Sequence, residues 1–134
     1  MNILVIDGQG GGLGGQLVSA IRSLCPDCEL MAVGTNTAAT SVMLKAGAAR
    51  AATGENAVVV ACRKADVIVG PIGIAIADAL SGEVTPTMAA AVGRSNAKRI
   101  LVPTSHCDNL IAGTADIPVG KLLQSAMAML AALL

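Results

Sequence analysis

Short aliphatic runs that stop abruptly constrain this chain more than any other feature. Ile3-Leu4-Val5-Ile6 stops at Asp7-Gly8, and Leu30-Met31-Ala32-Val33 stops at Gly34. Val67-Ile68-Val69 stops at Gly70-Pro71, and Ile100-Leu101-Val102 stops at Pro103. None of these runs alternates apolar with polar residues. Strands of that kind are covered on both faces, which is the condition of a parallel sheet rather than a half-wetted antiparallel one.

The segments between the runs read as helices. Leu13, Leu17, Val18, Ile21 and Leu24 recur at helical spacing, and Pro26 ends that helix. Thr37 or Thr40 can cap a second helix through Val42, Met43 and Leu44, stopped by Gly47. Ala48 to Thr53 reads as a weak third strand, and Asn56 can cap a helix over Ala57 to Ala65. Ile72 to Leu80 reads as a loop running into a short helix. Thr85-Pro86 opens another helix, with Thr as cap and Pro in the first helical position. Asp116 to Pro118 opens a last, apolar helix reaching Leu134. Strands alternating with helices predict an α/β fold: a doubly wound, mainly parallel, Rossmann-like sheet in three layers. The 134 residues fit a single domain, 1–134.

Composition narrows the chemistry. Apolar residues make up 54% of the chain, yet there is no Phe, Tyr or Trp. Without rings there is no tyrosine acid, no aromatic cage and no base-stacking platform. Lys and Arg number nine against nine Asp and Glu, so no excess positive potential serves a nucleic-acid backbone. Nucleic acid is excluded as an expected partner. The uncharged stretch Leu122 to Leu134 is shorter than the roughly 18–20 residues of a membrane span, so no membrane partner is expected. Asp7 and the glycines follow the first run at once, unlike a signal peptide, which predicts a cytoplasmic protein whose four Cys are reduced thiols.

The loop Asp7-Gly8-Gln9-Gly10-Gly11-Gly12-Leu13-Gly14-Gly15 lies between the first strand and first helix. That is where a Rossmann fold places a phosphate, over a helix amino terminus. Gly8 is expected to make the tight turn, Gly12 to admit a phosphate, and Gly14 to let helix and strand pack closely. Gly8-x-x-x-Gly12-x-Gly14 resembles the cofactor loop of short-chain dehydrogenases, although their catalytic Tyr has no counterpart here. Gly11-Gly-Leu-Gly14 is also similar to the deviant P-loop ATPases, but Gly15 and Gln16 stand where those need Lys and Ser or Thr. ATP hydrolysis is not expected. After the second strand, Thr35 and Asn36 replace the acidic residue of NAD-binding folds and are candidate ribose contacts. Gly70, Pro71, Ile72 and Gly73 are placed at the far end of the same crevice.

Ligands of such folds bind outside the carboxyl ends of the strands. Arg63, Lys64, Arg94, Lys98 and Arg99 fall on the opposite rim. On the binding rim, His106, Cys107 and Asp108 are candidate catalytic residues, because a strand-end loop with Cys, His and Asp can supply a nucleophile and a base. Asp78 and Glu83 flank the Gly70 loop as a further acid–base pair. Cys25-Pro-Asp-Cys28 is a C-x-x-C pair, but it ends a helix, where the dipole disfavours a thiolate. Zinc there would need two further ligands, with Cys62 a possible third, and no metal is expected.

Taken whole, the chain resembles a family of short bacterial proteins known as a domain of unknown function. The stretches carrying this are Asn2 to Gly12, Ala32 to Asn36, Ala52 to Asn56, Asp66 to Gly73 and Ile100 to Pro103. The resemblance implies a Rossmann-like fold and brings no activity. The residues themselves point to a small nucleotide-binding protein, for an adenine nucleotide or NAD(P), that does not hydrolyse it. A small metabolic enzyme and a ligand-free structural subunit are the competing classes. The last helix is apolar on nearly all sides, so a homo-oligomer joined through it is expected.

Overall fold

The computed structural model describes residues 1–104 and 108–134. Five strands, β1 (Asn2–Asp7), β2 (Glu29–Gly34), β3 (Arg50–Thr53), β4 (Val67–Pro71) and β5 (Lys98–Val102), form one parallel sheet in the order β3-β2-β1-β4-β5. Helices α1 (Gly12–Leu24), α2 (Thr37–Ala46), α3 (Glu55–Lys64), α4 (Pro86–Arg94) and α5 (Val119–Ala131) connect or follow them. The fold is α/β and Rossmann-like, as the aliphatic runs predict.

Alternate residues of each strand enter opposite cores. Ile3 and Val5 join Leu17, Val18 and Ile21 of α1, Met43 of α2 and Leu130 of α5. Leu4 and Ile6 join Val58 and Cys62 of α3 with Met88 and Val92 of α4. Thus α1, α2 and α5 cover one face and α3 and α4 the other. With no ring to bury, each core is built from many aliphatic side chains, which fill both faces of β1 completely.

Local signals placed most boundaries. Thr85 caps α4 through Met88 N, with Pro86 in the first turn. Asn36, rather than Thr37 or Thr40, caps α2, because its side chain accepts from Ala39 N. Gly54 precedes α3, so that helix starts before Asn56. Ile72–Ala75 is a 3-10 turn followed by irregular chain, not a loop leading into a helix. Among the described residues no helix is long and apolar enough to cross a membrane.

The strand order creates a switch point. From β1 the chain crosses outward to β2 and β3, then returns to β4 on the other side of β1. Connections leave the carboxyl ends of β1 and β4 in opposite directions, which is the position where open α/β sheets take their ligands.

The expectation of four reduced cysteines is corrected. Cys25 and Cys28 form a disulfide at the end of α1. The turn after the helix brings the pair together: Cys28 N donates to Cys25 O at 3.2 Å, and the Cα atoms are 5.4 Å apart. Arg22 holds the turn, donating to the carbonyls of Pro26 and Cys28, and reaches Gly47 at the end of α2.

Candidate functional site

The site is built on Asp7, the last residue of β1. It is the one polar or charged residue among the described residues that is classed as buried. Its Oδ1 accepts from Gly8 N at 2.8 Å and its Oδ2 from Gly14 N at 2.7 Å. Asp7 thereby takes an amide of the first turn of α1, which carries no acidic residue of its own. Burial pushes the Asp7 carboxyl above its ordinary value, against the pull of the two amides, and the neighbouring Glu83 charge adds to the rise.

The loop turns from Gly8 to Gly11, so Gly8 opens the tight turn expected of it. Gln9 and Gly11 adopt left-handed conformations, with φ of 49° and 72°, and Gly11 N closes the turn on Gly8 O at 2.9 Å. Gly8 is constrained by space as well. A Cβ there would collide with Thr35 Oγ1 and crowd Leu80 and Glu83. Gly11 needs the positive φ and also lies against α2, where a Cβ would come within 2.8 Å of Ala39 Cα. Gly14 does what the sequence predicts: a Cβ would lie 2.7 Å from both Asp7 Cβ and Met43 Sδ.

Gly10 and Gly12 differ from these. A Cβ on either would meet nothing within 4 Å, and both residues are exposed. The Gly12 and Leu13 amides make no hydrogen bond among the described residues. Two donors at the positive end of α1 therefore lack a partner among the described residues, while the third is taken by Asp7.

Thr35 and Asn36 stand where expected, just beyond β2, but they are engaged. Both donate to Oε1 of Glu83 at 2.7 Å, and Gln9 N donates to the same oxygen at 2.9 Å. Asn36 also donates to Gln9 O at 2.9 Å. Burial alone would raise the Glu83 carboxyl; the bonds from Thr35, Gln9 and Asn36 overcome it and hold the group below its ordinary value.

Glu83 reaches this place on an unusual loop. Asp78, Leu80, Ser81 and Gly82 all have positive φ. Asp78 N donates to Val84 O at 2.7 Å and Gly82 N to Asp78 O at 3.1 Å. Leu80 and Val84 are buried beneath. The sequence marks Glu83 only as an acid near the Gly70 loop, not as a partner of Thr35 and Asn36. Three left-handed residues other than Gly carry no composition signal, so the route of this loop could not be read.

The remaining candidates divide. Gly70, Pro71 and Gly73 are buried at the end of β4, with Ile72 half-buried, beside the switch point of the sheet. A Cβ on Gly70 would strike the Ile6 carbonyl of β1. Asp108 is exposed, whereas His106 and Cys107 lie outside the described residues. Cys62 is buried, which pushes its thiol up to about 11. The disulfide occupies Cys25 and Cys28, and the described residues hold no group of three or more His, Cys, Asp or Glu fit for a metal ion.

Charge is divided between the two rims. Arg22, Lys45, Arg63, Lys64 and Arg94 lie in the last turns of helices, and Arg50, Lys98 and Arg99 in or at the start of strands. Only Lys121 falls on the other rim, with Asp7, Glu55, Asp78, Glu83, Asp108 and Asp116. The rim that holds the open amides is acidic.

The chain belongs to the family described as Domain of unknown function (DUF3842), which matches residues 2–134. No curated protein matches it. Among solved structures it is similar to a dodecameric FMN-dependent UbiX-like decarboxylase from Escherichia coli O157:H7. The two are 18% identical with a TM-score of 0.50, over 96% of this chain and 76% of that chain, which establishes likeness of fold.

Proposed function

We propose that this DUF3842 protein binds a nucleotide-type cofactor, with the phosphate over the amino terminus of α1. The observation that carries the reading is the pair of unpaired amides, Gly12 and Leu13, beside Gly10 and Gly12, where an added Cβ would meet nothing within 4 Å. The site lies at the switch point beside β1, where open α/β sheets take their ligands. Adenine nucleotides and NAD(P) fit the sequence pattern, and the fold neighbour's dependence on FMN adds a flavin nucleotide to the candidates. The protein contributes positioning: fixed amides, the α1 dipole and the Gly70–Gly73 segment at the end of β4.

A thermal-shift series with AMP, ATP, NAD, NADP and FMN tests the reading. A ligand at a hundred times its Kd adds about 2.7 kcal/mol, a shift of several degrees. Gly12→Val places its Cβ where nothing lies within 4 Å, so it should keep the fold and weaken that ligand. No shift with any of the five at millimolar concentration, or full affinity in Gly12→Val, overturns the proposal.

Homo-oligomerisation through α5 belongs to the same proposal. Val119, Met129, Leu133 and Leu134 on and after this helix are exposed at 50%, 56%, 36% and 52%, while Ala126 and Leu130 face the core. The fold neighbour is dodecameric. Light scattering should find a multimer that Met129→Glu dissociates, and a monomeric native chain refutes this part.

A further inference from the structure

The Glu83 carboxylate is held at one end only. Oε1 receives three donors, from Gln9, Thr35 and Asn36, while Oε2 makes no hydrogen bond among the described residues. Donors from the glycine loop and from the end of β2 therefore fix an acceptor that arrives from the chain beyond β4. The half-buried side chain stands beside Gly8, at the β2 side of the loop whose Gly12 and Leu13 amides are open.

We propose that Glu83 sets the ligand class of this site, its free Oε2 accepting a hydroxyl of an unphosphorylated ribose. This rests on the nucleotide reading above. A carboxylate accepts from a hydroxyl and repels a phosphate, and no Lys or Arg of the described residues contacts Glu83 to offset that repulsion. Thr35 and Asn36 then act as positioning residues: their donor groups are spent on Oε1, so they aim the carboxylate instead of touching the sugar. The selected ligands carry a free ribose 2′-hydroxyl, which favours AMP or NAD over NADP.

The test measures dissociation constants for AMP, 2′-deoxy-AMP and adenosine 2′,5′-bisphosphate on the native chain and on Glu83→Gln. Native protein should bind AMP roughly tenfold more tightly than either analogue, the scale of a charge-assisted hydrogen bond. Glu83→Gln should gain affinity for the bisphosphate and bring the AMP-to-bisphosphate ratio within about threefold. Equal binding of the three by native protein overturns the assignment of Glu83 but leaves the nucleotide site standing, and needs no variant to fold. So does binding of FMN without AMP. An unchanged ratio in a folded Glu83→Gln variant also overturns it. Absence of binding by every nucleotide, FMN included, removes the site itself.

Discussion

Asp7 and Gly14 lie 2.7 Å apart, carboxylate oxygen to amide nitrogen, and the strand and helix they belong to can approach so closely only because Gly14 has no side chain. One contact thus ties the start of α1 to the end of β1 and takes one of the amides of its first turn.

Gly14→Ala should destabilise the fold by about 1–2 kcal/mol, since overpacking against Asp7 and Met43 outweighs the helix propensity gained. Gly12→Ala, which meets nothing, should be neutral or slightly stabilising. Chemical denaturation of the two variants checks the contrast, and equal midpoints would contradict the packing described for Gly14.

The two carboxylates act on stability with opposite signs. Asp7 is raised from 3.8 in the folded chain, so the folded state binds its proton first. Its contribution is therefore greatest at low pH and declines as pH rises from 3.8 through the raised value. Glu83 is lowered from 4.5, so its contribution is present above 4.5 and is lost as pH falls through the lowered value. Stability curves against pH for Glu83→Gln should accordingly lose part of the native acid-side fall. A variant that keeps the whole of it would show that the bonds from Thr35, Gln9 and Asn36 do not hold in solution.

Reduction should lower the melting temperature. The Cys25–Cys28 ring closes a short loop, worth about 2 kcal/mol by chain entropy, or several degrees for a chain of this size. A Cys25→Ala, Cys28→Ala double variant should melt at the reduced protein's temperature with or without reductant. Identical melting of the untreated and reduced native chain would argue against the bond.

Salt should strengthen nucleotide binding. The open amides sit on the rim of Asp7, Glu55, Asp78 and Glu83, and screening weakens their repulsion of a phosphate. Affinity should rise between about 0.02 and about 0.2 M salt, over which the Debye length shortens from roughly 20 to 7 Å. A fall would indicate that the ligand meets a basic surface instead.

Local patterns made much of the fold legible. Ile3–Ile6 could only be a doubly covered strand, Thr85-Pro86 could only start a helix, and the glycines after Asp7 marked the loop at the switch point. Within that loop the roles were harder to assign. Gly14 is readable because close helix–strand packing follows from its position, and Gly8 because it opens the turn that Gly11 N closes, but the crowding around Gly8 is not. The need at Gly8 comes from Thr35, Leu80 and Glu83, which are distant in sequence.

The alternation of aliphatic runs with helical segments therefore determined the architecture by itself, because burial on two faces is a property of consecutive residues. The content of the site was decided only in three dimensions. The sequence offered Thr35 and Asn36 as contacts for a sugar and lacked an acid beside them. Folding brings Glu83 to that place from beyond β4, where three donors from separate segments converge on one oxygen. Such convergence depends on the route of a left-handed loop across the sheet, and neither spacing nor composition encodes that route.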